Sequence, residues 1–319
     1  MSKECSRCTC FAPESTCDLG FMDRAKCPEW KQQGKETDNK DTELGDELVL
    51  PWSGSALGIV DLGFVAGRIK PLVVGIIGPQ NAGKTTLLAA WYLLIGSGQA
   101  NPSNYRFAGS YSLTGWEAVA STLRWNPGQS PCFPPHTSSR GGRAPGLLHL
   151  NFRSDDARLR SYLFADAPGE WFQKWSINKD SVDAEGARWL AEHADVFLLI
   201  ADCQALSGPN MGSARGSLQL LARRVAAERL GRPVALVWAK SDIVIAPEMK
   251  KTVRDAIFSS MPDTCEFSVS VTSGTEEDLD KGQGLLELFD WILTLRRGNV
   301  NLPSVSTTSS DPLFILGAK

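Results

Sequence analysis

Residues 71–86 read PLVVGIIGPQNAGKTT. Seven apolar or small residues are followed by a turn rich in glycine and then by good helix formers. This is the order of a buried strand, a tight loop and a helix start. The segment from Gly78 to Thr85 fits the spacing G-x-x-x-x-G-K-[ST] of a phosphate-binding loop. Gly78 and Gly83 let the backbone wrap closely around an anion. The N–H groups of Asn81, Ala82, Gly83, Lys84, Thr85 and Thr86 lie where the loop and helix N-terminus bind phosphate oxygens. Lys84 is expected to neutralise the β- and γ-phosphates, and the Thr85 hydroxyl to serve Mg²⁺.

Outward from this loop, strand-like apolar runs alternate with amphipathic ones. Strands are expected at 71–77, 146–153, 161–166, 195–201, 233–239 and 265–271. Helices are expected at 57–69, 84–95, 114–124, 183–193, 214–230, 248–260 and 284–296. The strands at 146–166 suit a hairpin, and the others repeat as βα units. The fold class is therefore α/β: a mainly parallel sheet with helices on both faces. Four parts are expected along the chain: a cysteine-rich start (1–30), a polar linker (31–50), the globular nucleotide-binding domain (51–297) and a Ser/Thr-rich tail (298–319) ending in LFILGAK. The tail's apolar run, Leu313 to Leu316, suits a docking peptide.

The 319 residues carry a net charge of -3, with 22% charged and 42% hydrophobic residues. The balance makes no electrostatic case for nucleic acid. No run reaches the roughly 18 apolar residues of a membrane span, and MSKECSRCTC is no signal peptide. A cytoplasmic protein with reduced thiols is expected.

Three later segments follow strands in an order that resembles GTPases of the translation-factor-like clade. Asp166-Ala167-Pro168-Gly169 matches D-x-x-G. The resemblance gives Asp166 to Mg²⁺ and the Gly169 N–H to the γ-phosphate. Ala239-Lys240-Ser241-Asp242 is similar to the guanine-reading N/T-K-x-D element. A carboxylate at Asp242 can accept from two adjacent donors of guanine, which adenine lacks, and Lys240 can lay its stem on the base. Ala239 departs from the pattern by lacking a polar side chain. Val271-Thr272-Ser273-Gly274 stands where the third base loop is expected. Thr137, with Ser138 as substitute, is the candidate switch threonine, and Arg140 and Arg143 are candidate arginine fingers. Glu170 stands where relatives carry a water-orienting Gln, which implies slow or partner-assisted hydrolysis. Asn81 occupies the position that ligates K⁺ in Era-like GTPases.

Longer strings resemble a narrower family. Tyr105 to Ser110 (YRFAGS), Gly115-Trp116-Glu117, Phe133 to Thr137 (FPPHT), Asp166 to Phe172 (DAPGEWF) and Val237 to Lys240 (VWAK) are similar to bacterial double-GTPase-type proteins of conflict and defence gene clusters. The resemblance spans about residues 52–295. It implies GTP/GDP and Mg²⁺ as ligands and a regulatory role with a protein partner. Trp171, Phe172 and Trp175, if exposed, would make a nucleotide-dependent contact surface for a partner; the alternative is that they pack on the core. Two alternatives stand beside this: an adaptor subunit stabilised by nucleotide with little turnover, and an ATPase in which Asp202 serves Mg²⁺.

Five of eight cysteines fall in the first 27 residues, spaced C-x2-C-x-C-x6-C-x9-C. In a reducing compartment this favours metal over disulfides. Cys5, Cys8, Cys17 and Cys27 are one tetrahedral Zn²⁺ set, and Cys10 can replace any of them. Free or packed thiols and an iron–sulfur cluster are the alternatives.

Overall fold

The computed structural model describes residues 56–98, 105–124, 132–134, 145–271 and 283–296. In chain order these form α1 (Leu62–Ala66), β1 (Leu72–Ile77), α2 (Lys84–Gly96), β2 (Tyr105–Gly109), α3 (Leu113–Ala120), β3 (Gly146–Ser154), β4 (Leu159–Asp166), α4 (Gly169–Ile177), α5 (Glu185–His193), β5 (Val196–Asp202), α6 (Cys203–Ser207), α7 (Met211–Glu228), β6 (Val234–Ala239), α8 (Pro247–Ser260), β7 (Cys265–Val269) and α9 (Gln283–Thr294). One sheet runs in the order β2-β3-β4-β1-β5-β6-β7. Strands β4, β1, β5, β6 and β7 are mutually parallel. Strand β3 runs antiparallel to β4, as the hairpin reading expects, and β2 antiparallel to β3.

The central strands are apolar along their length because both faces are covered. Val74 and Ile76 of β1 and Leu198 and Ile200 of β5 share one core with Leu87 and Trp91 of α2 and with Leu288 and Phe289 of α9. The alternate residues, Val73 and Ile77 of β1 and Phe197 and Leu199 of β5, join Phe172 and Trp175 of α4, Leu190 of α5 and Leu218 and Val225 of α7. Two buried polar tips fasten α9 down: Trp91 Nε1 donates to the Leu285 carbonyl (2.9 Å) and the Tyr162 hydroxyl to that of Leu293 (3.0 Å).

Three local expectations are corrected. Residues 57–69 are not one helix. Leu57 exchanges backbone hydrogen bonds with Leu147, a 3₁₀ turn covers Ile59–Asp61, and α1 has only five residues. Gly58, Gly63 and Gly67 fall in this stretch and disfavour a long helix. Strand β2 and helices α4 and α6 are additional elements. The aromatics of α4 are not an exposed surface: Trp171, Phe172 and Trp175 are all buried. Their i, i+1, i+4 spacing forms the inner face of that helix.

Strand β2 stops at Gly109, opposite Asn151, which leaves the edge of β3 at His149 without a strand partner. Side chains complete it. The Ser112 hydroxyl accepts from the His149 N–H (2.8 Å), and Trp116 Nε1 donates to the His149 carbonyl (2.9 Å). The ring of His149 is fully buried. Its Nδ1 accepts from the Tyr111 N–H at 2.9 Å, so the proton sits on Nε2, which donates to Ser161 Oγ at 3.0 Å. Burial pushes the pKa of this imidazole down to about 4. A histidine whose folded pKa is depressed contributes stability above its unfolded pKa and loses it as pH falls towards the folded value. Unfolding free energy is therefore expected to drop by up to about 1.4 kcal/mol per pH unit between roughly pH 6.5 and 4. Denaturant titrations across that range should show this slope, and it should flatten in His149→Asn, which keeps an acceptor for the Tyr111 N–H.

Candidate functional site

Five elements end at the same edge of the sheet. The carboxyl ends of β1, β4, β5 and β6 and the start of α2 surround a cavity of about 450 Å³. This is the edge where open parallel sheets bind ligands. Gln80 to Leu87 line it on one side. Lys240, Asp242, Ser270 and Val271 line it on another, with Ala167, Pro168 and Gly169 at the end of β4.

The phosphate loop turns through two left-handed residues, Asn81 (φ 60°) and Gly83 (φ 87°). Gly83 is the N-cap of α2, and a glycine adopts that conformation without strain. The next residue, Lys84, is only 7% exposed. Its Nζ donates to the carbonyls of Gly78 (3.1 Å) and Pro79 (2.7 Å). Burial lowers its pKa to about 8, partly offset by the carboxylates of Asp166 and Glu170. The Thr85 hydroxyl donates to the Asp166 carboxylate, 3.1 Å from Oδ1 and 3.4 Å from Oδ2. A hydroxyl on the cavity wall, bonded to a carboxylate and next to a buried cation, offers hard oxygens that suit Mg²⁺ with phosphate.

Gly169 begins α4 directly against the phosphate loop. A methyl group there would lie 2.2 Å from Gln80 N and 2.5 Å from Gln80 Cα and the Pro79 carbonyl carbon. The space itself requires glycine. The following residue, Glu170, buries its Oε2 with no hydrogen-bond partner among the described residues. That oxygen is an acceptor available to a water or a ligand.

At the other end, Lys240 adopts φ 57°. Its Nζ donates to Asp202 Oδ2 and to Gln204 Oε1, both at 2.9 Å. Asp202 is also the N-cap of α6, its Oδ1 accepting from the N–H groups of Gln204 (3.0 Å) and Ala205 (3.4 Å). The carboxylate beside Thr85 is thus Asp166, while Asp202 is committed to Lys240 and α6. Asp242 Oδ1 accepts from the Ser270 hydroxyl at 2.6 Å, which ties the two base-side loops together.

A family model described as Double-GTPase 2 matches residues 72–292, more than two thirds of the chain. The chain belongs to the Double-GTPase 2 family. No curated protein matches it. Solved structures do. One is nucleolar GTP-binding protein 1 from Plasmodium falciparum, at 13% identity and a TM-score of 0.34, covering 70% of this chain and 91% of that one.

In this Double-GTPase 2 protein the structure brings Gly78 to Thr86, Asp166, Gly169, Lys240 and Asp242 to the cavity or its immediate wall. Thr137, Ser138, Arg140, Arg143 and Thr272 to Gly274 lie outside the described residues, as do Cys5, Cys8, Cys10, Cys17, Cys27 and the tail. Among the described residues no three metal-ligating side chains cluster, and no helix is long and apolar enough to cross a membrane. The lining also includes Phe133 and Pro134, from the FPPHT string, and Gln204, Ile243 and Leu285, which motif spacing does not single out. For Gln204 a signal exists: an Asp at the end of an apolar strand run reads as a helix N-cap, which carries the next two residues to the strand's carboxyl end.

Proposed function

We propose that this protein is a Mg²⁺-dependent GTP-binding switch with slow or partner-stimulated hydrolysis. The observation that carries the reading is one cavity lined by both the phosphate loop and the Lys240/Asp242 loop. A nucleotide in it has its phosphates beside Lys84 and its base beside Asp242. Thr85 and Asp166 would hold Mg²⁺, which when bound draws negative charge off the phosphate oxygens. Lys84 neutralises phosphate charge, and the Gly169 N–H senses the terminal phosphate. Glu170 Oε2 is the acceptor for a water proton. The Lys240 stem packs on the base, and Asp242 accepts from guanine's two adjacent donors. The regulatory role, in a bacterial defence or conflict system and with a protein partner, is supported by the sequence strings shared with double-GTPase-type proteins.

Asp242→Asn tests the base reading. The variant replaces one acceptor with a donor, so a charge-assisted hydrogen bond worth about 1.5–3 kcal/mol is lost. GTP affinity should fall roughly ten- to hundredfold, while xanthosine triphosphate, with a carbonyl at the two-position, should bind better. Competition titrations of GTP, ATP and xanthosine triphosphate decide it. Equal GTP and ATP affinity in the wild type would sink guanine reading and favour the ATPase.

A second reading, an adaptor subunit with little turnover, is favoured by Glu170 itself. A carboxylate accepts a proton from water but offers no amide donor to the transition state. Steady-state GTP hydrolysis with and without candidate partners separates the two.

A further inference from the structure

Guanine presents its acceptor, the six-position carbonyl, next to the donors that Asp242 is suited to receive. In the base loop the side chain that could donate to it is missing at Ala239, and the cavity wall nearby is apolar, with Ile200, Val269 and Leu285. A carbonyl left there without a donor costs binding energy. Three of the donors near it among the described residues are committed: the Ser241 N–H donates to the Val269 carbonyl (3.1 Å), the Ile243 N–H to that of Lys240 (3.0 Å) and the Ser270 hydroxyl to Asp242.

Outside the phosphate loop, the side-chain donors among the described lining residues are Gln204, Lys240 and Ser270. Lys240 spends its ammonium on Asp202 and Gln204. The orientation of the Gln204 amide is chemically fixed, because an ammonium can only meet its oxygen. Its NH₂ is therefore turned away from Lys240, and it has no acceptor among the described residues. We propose that this Gln204 amide donates to the six-position carbonyl of guanine, supplying from the start of α6 the donor that Ala239 lacks.

This inference rests on the guanine-nucleotide reading above, and it makes Gln204 a specificity-determining residue. Two substitutions separate reading the base from supporting Lys240. Gln204→Ala removes both contacts. Gln204→Glu keeps an acceptor for Lys240 and replaces the donor with a charged acceptor. Gln204 is exposed and its side chain lies outside the buried core, so both variants should fold, which their thermal unfolding checks. Calorimetric titration with GDP and ADP is the measurement, since diphosphates avoid turnover. The preference for GDP over ADP should fall about five- to tenfold in Gln204→Ala, the worth of one neutral hydrogen bond, and at least as far in Gln204→Glu. Inosine diphosphate keeps the six-position carbonyl, so its affinity should fall with that of GDP. A GDP preference within twofold of wild type in Gln204→Glu would overturn the proposal, even if Gln204→Ala binds more weakly, and would leave Gln204 as support for Lys240. Binding of neither diphosphate by the wild type would instead bring down the guanine-nucleotide reading itself.

Discussion

Replacing Lys84 with alanine should lower GDP and GTP affinity by at least about thirtyfold while the protein stays folded. The lysine head is a buried cation facing the cavity, and losing a desolvated charge partner costs on the order of 2–5 kcal/mol in a complex. The free protein loses less. Two bonds to the Gly78 and Pro79 carbonyls disappear, each worth about 1 kcal/mol, but so does the penalty of burying the ammonium, visible in its pKa of about 8. The same shift makes a pH prediction. Between pH 8 and the unfolded value of 10.5 the unfolded chain binds more protons, so this group's burial penalty, present in full below pH 8, is relieved as pH rises. Nucleotide affinity goes the other way. Phosphate favours the charged lysine, so binding takes up a proton above pH 8 and should weaken by up to about tenfold per pH unit. Titration calorimetry in buffers of different ionisation enthalpy measures that proton. Unchanged affinity in Lys84→Ala would mean that the loop is not the phosphate site.

Gly169→Ala should be among the most damaging single methyl groups at the described glycines. The atoms it meets, Gln80 N, Gln80 Cα and the Pro79 carbonyl carbon, are all backbone, so no side chain can swing aside. Overpacking against a fixed wall costs about 1–3 kcal/mol or more, and separating α4 from the phosphate loop is the alternative to bearing it. Denaturant unfolding should show a loss at the upper end of that range, near 3 kcal/mol. GDP binding should survive better than hydrolysis, because Gly169 touches the loop at Pro79 and Gln80, away from Lys240 and Asp242. Wild-type stability together with wild-type GTP turnover would show that the close approach is not obligatory.

The parts of this site that are legible in sequence are those whose chemistry lies on a few consecutive residues. The phosphate loop, Asp166 to Gly169 and Lys240 to Asp242 each follow an apolar strand, and the parallel sheet brings those strand ends together. Leu285 reaches the cavity by tertiary placement, and no local spacing marks it; Gln204 is marked only indirectly, by the N-cap Asp202 two residues before it. Strand β2 escapes notice because it is a sheet edge: Arg106, Phe107 and Ala108 are all exposed, so no alternation is written into it. Helix α4 is legible in retrospect. Trp171, Phe172 and Trp175 invite reading as a contact surface, yet their spacing is that of a buried helical face.

The central position of β1 has a consequence for how the chain assembles. It pairs with β4 on one side and β5 on the other, and the Val73 N–H donates to Asp195, 122 residues later. The β3–β4 hairpin closes locally, but β1 waits for partners made long after it, the kind of distant closure that slows folding. During synthesis the phosphate loop therefore leaves the ribosome early and is seated late. Thr85 meets Asp166 only after 81 further residues, and the base-side loop arrives later still. A half-made chain carries the Gly78–Thr85 motif without its site, so nucleotide capture marks the completion of the sheet.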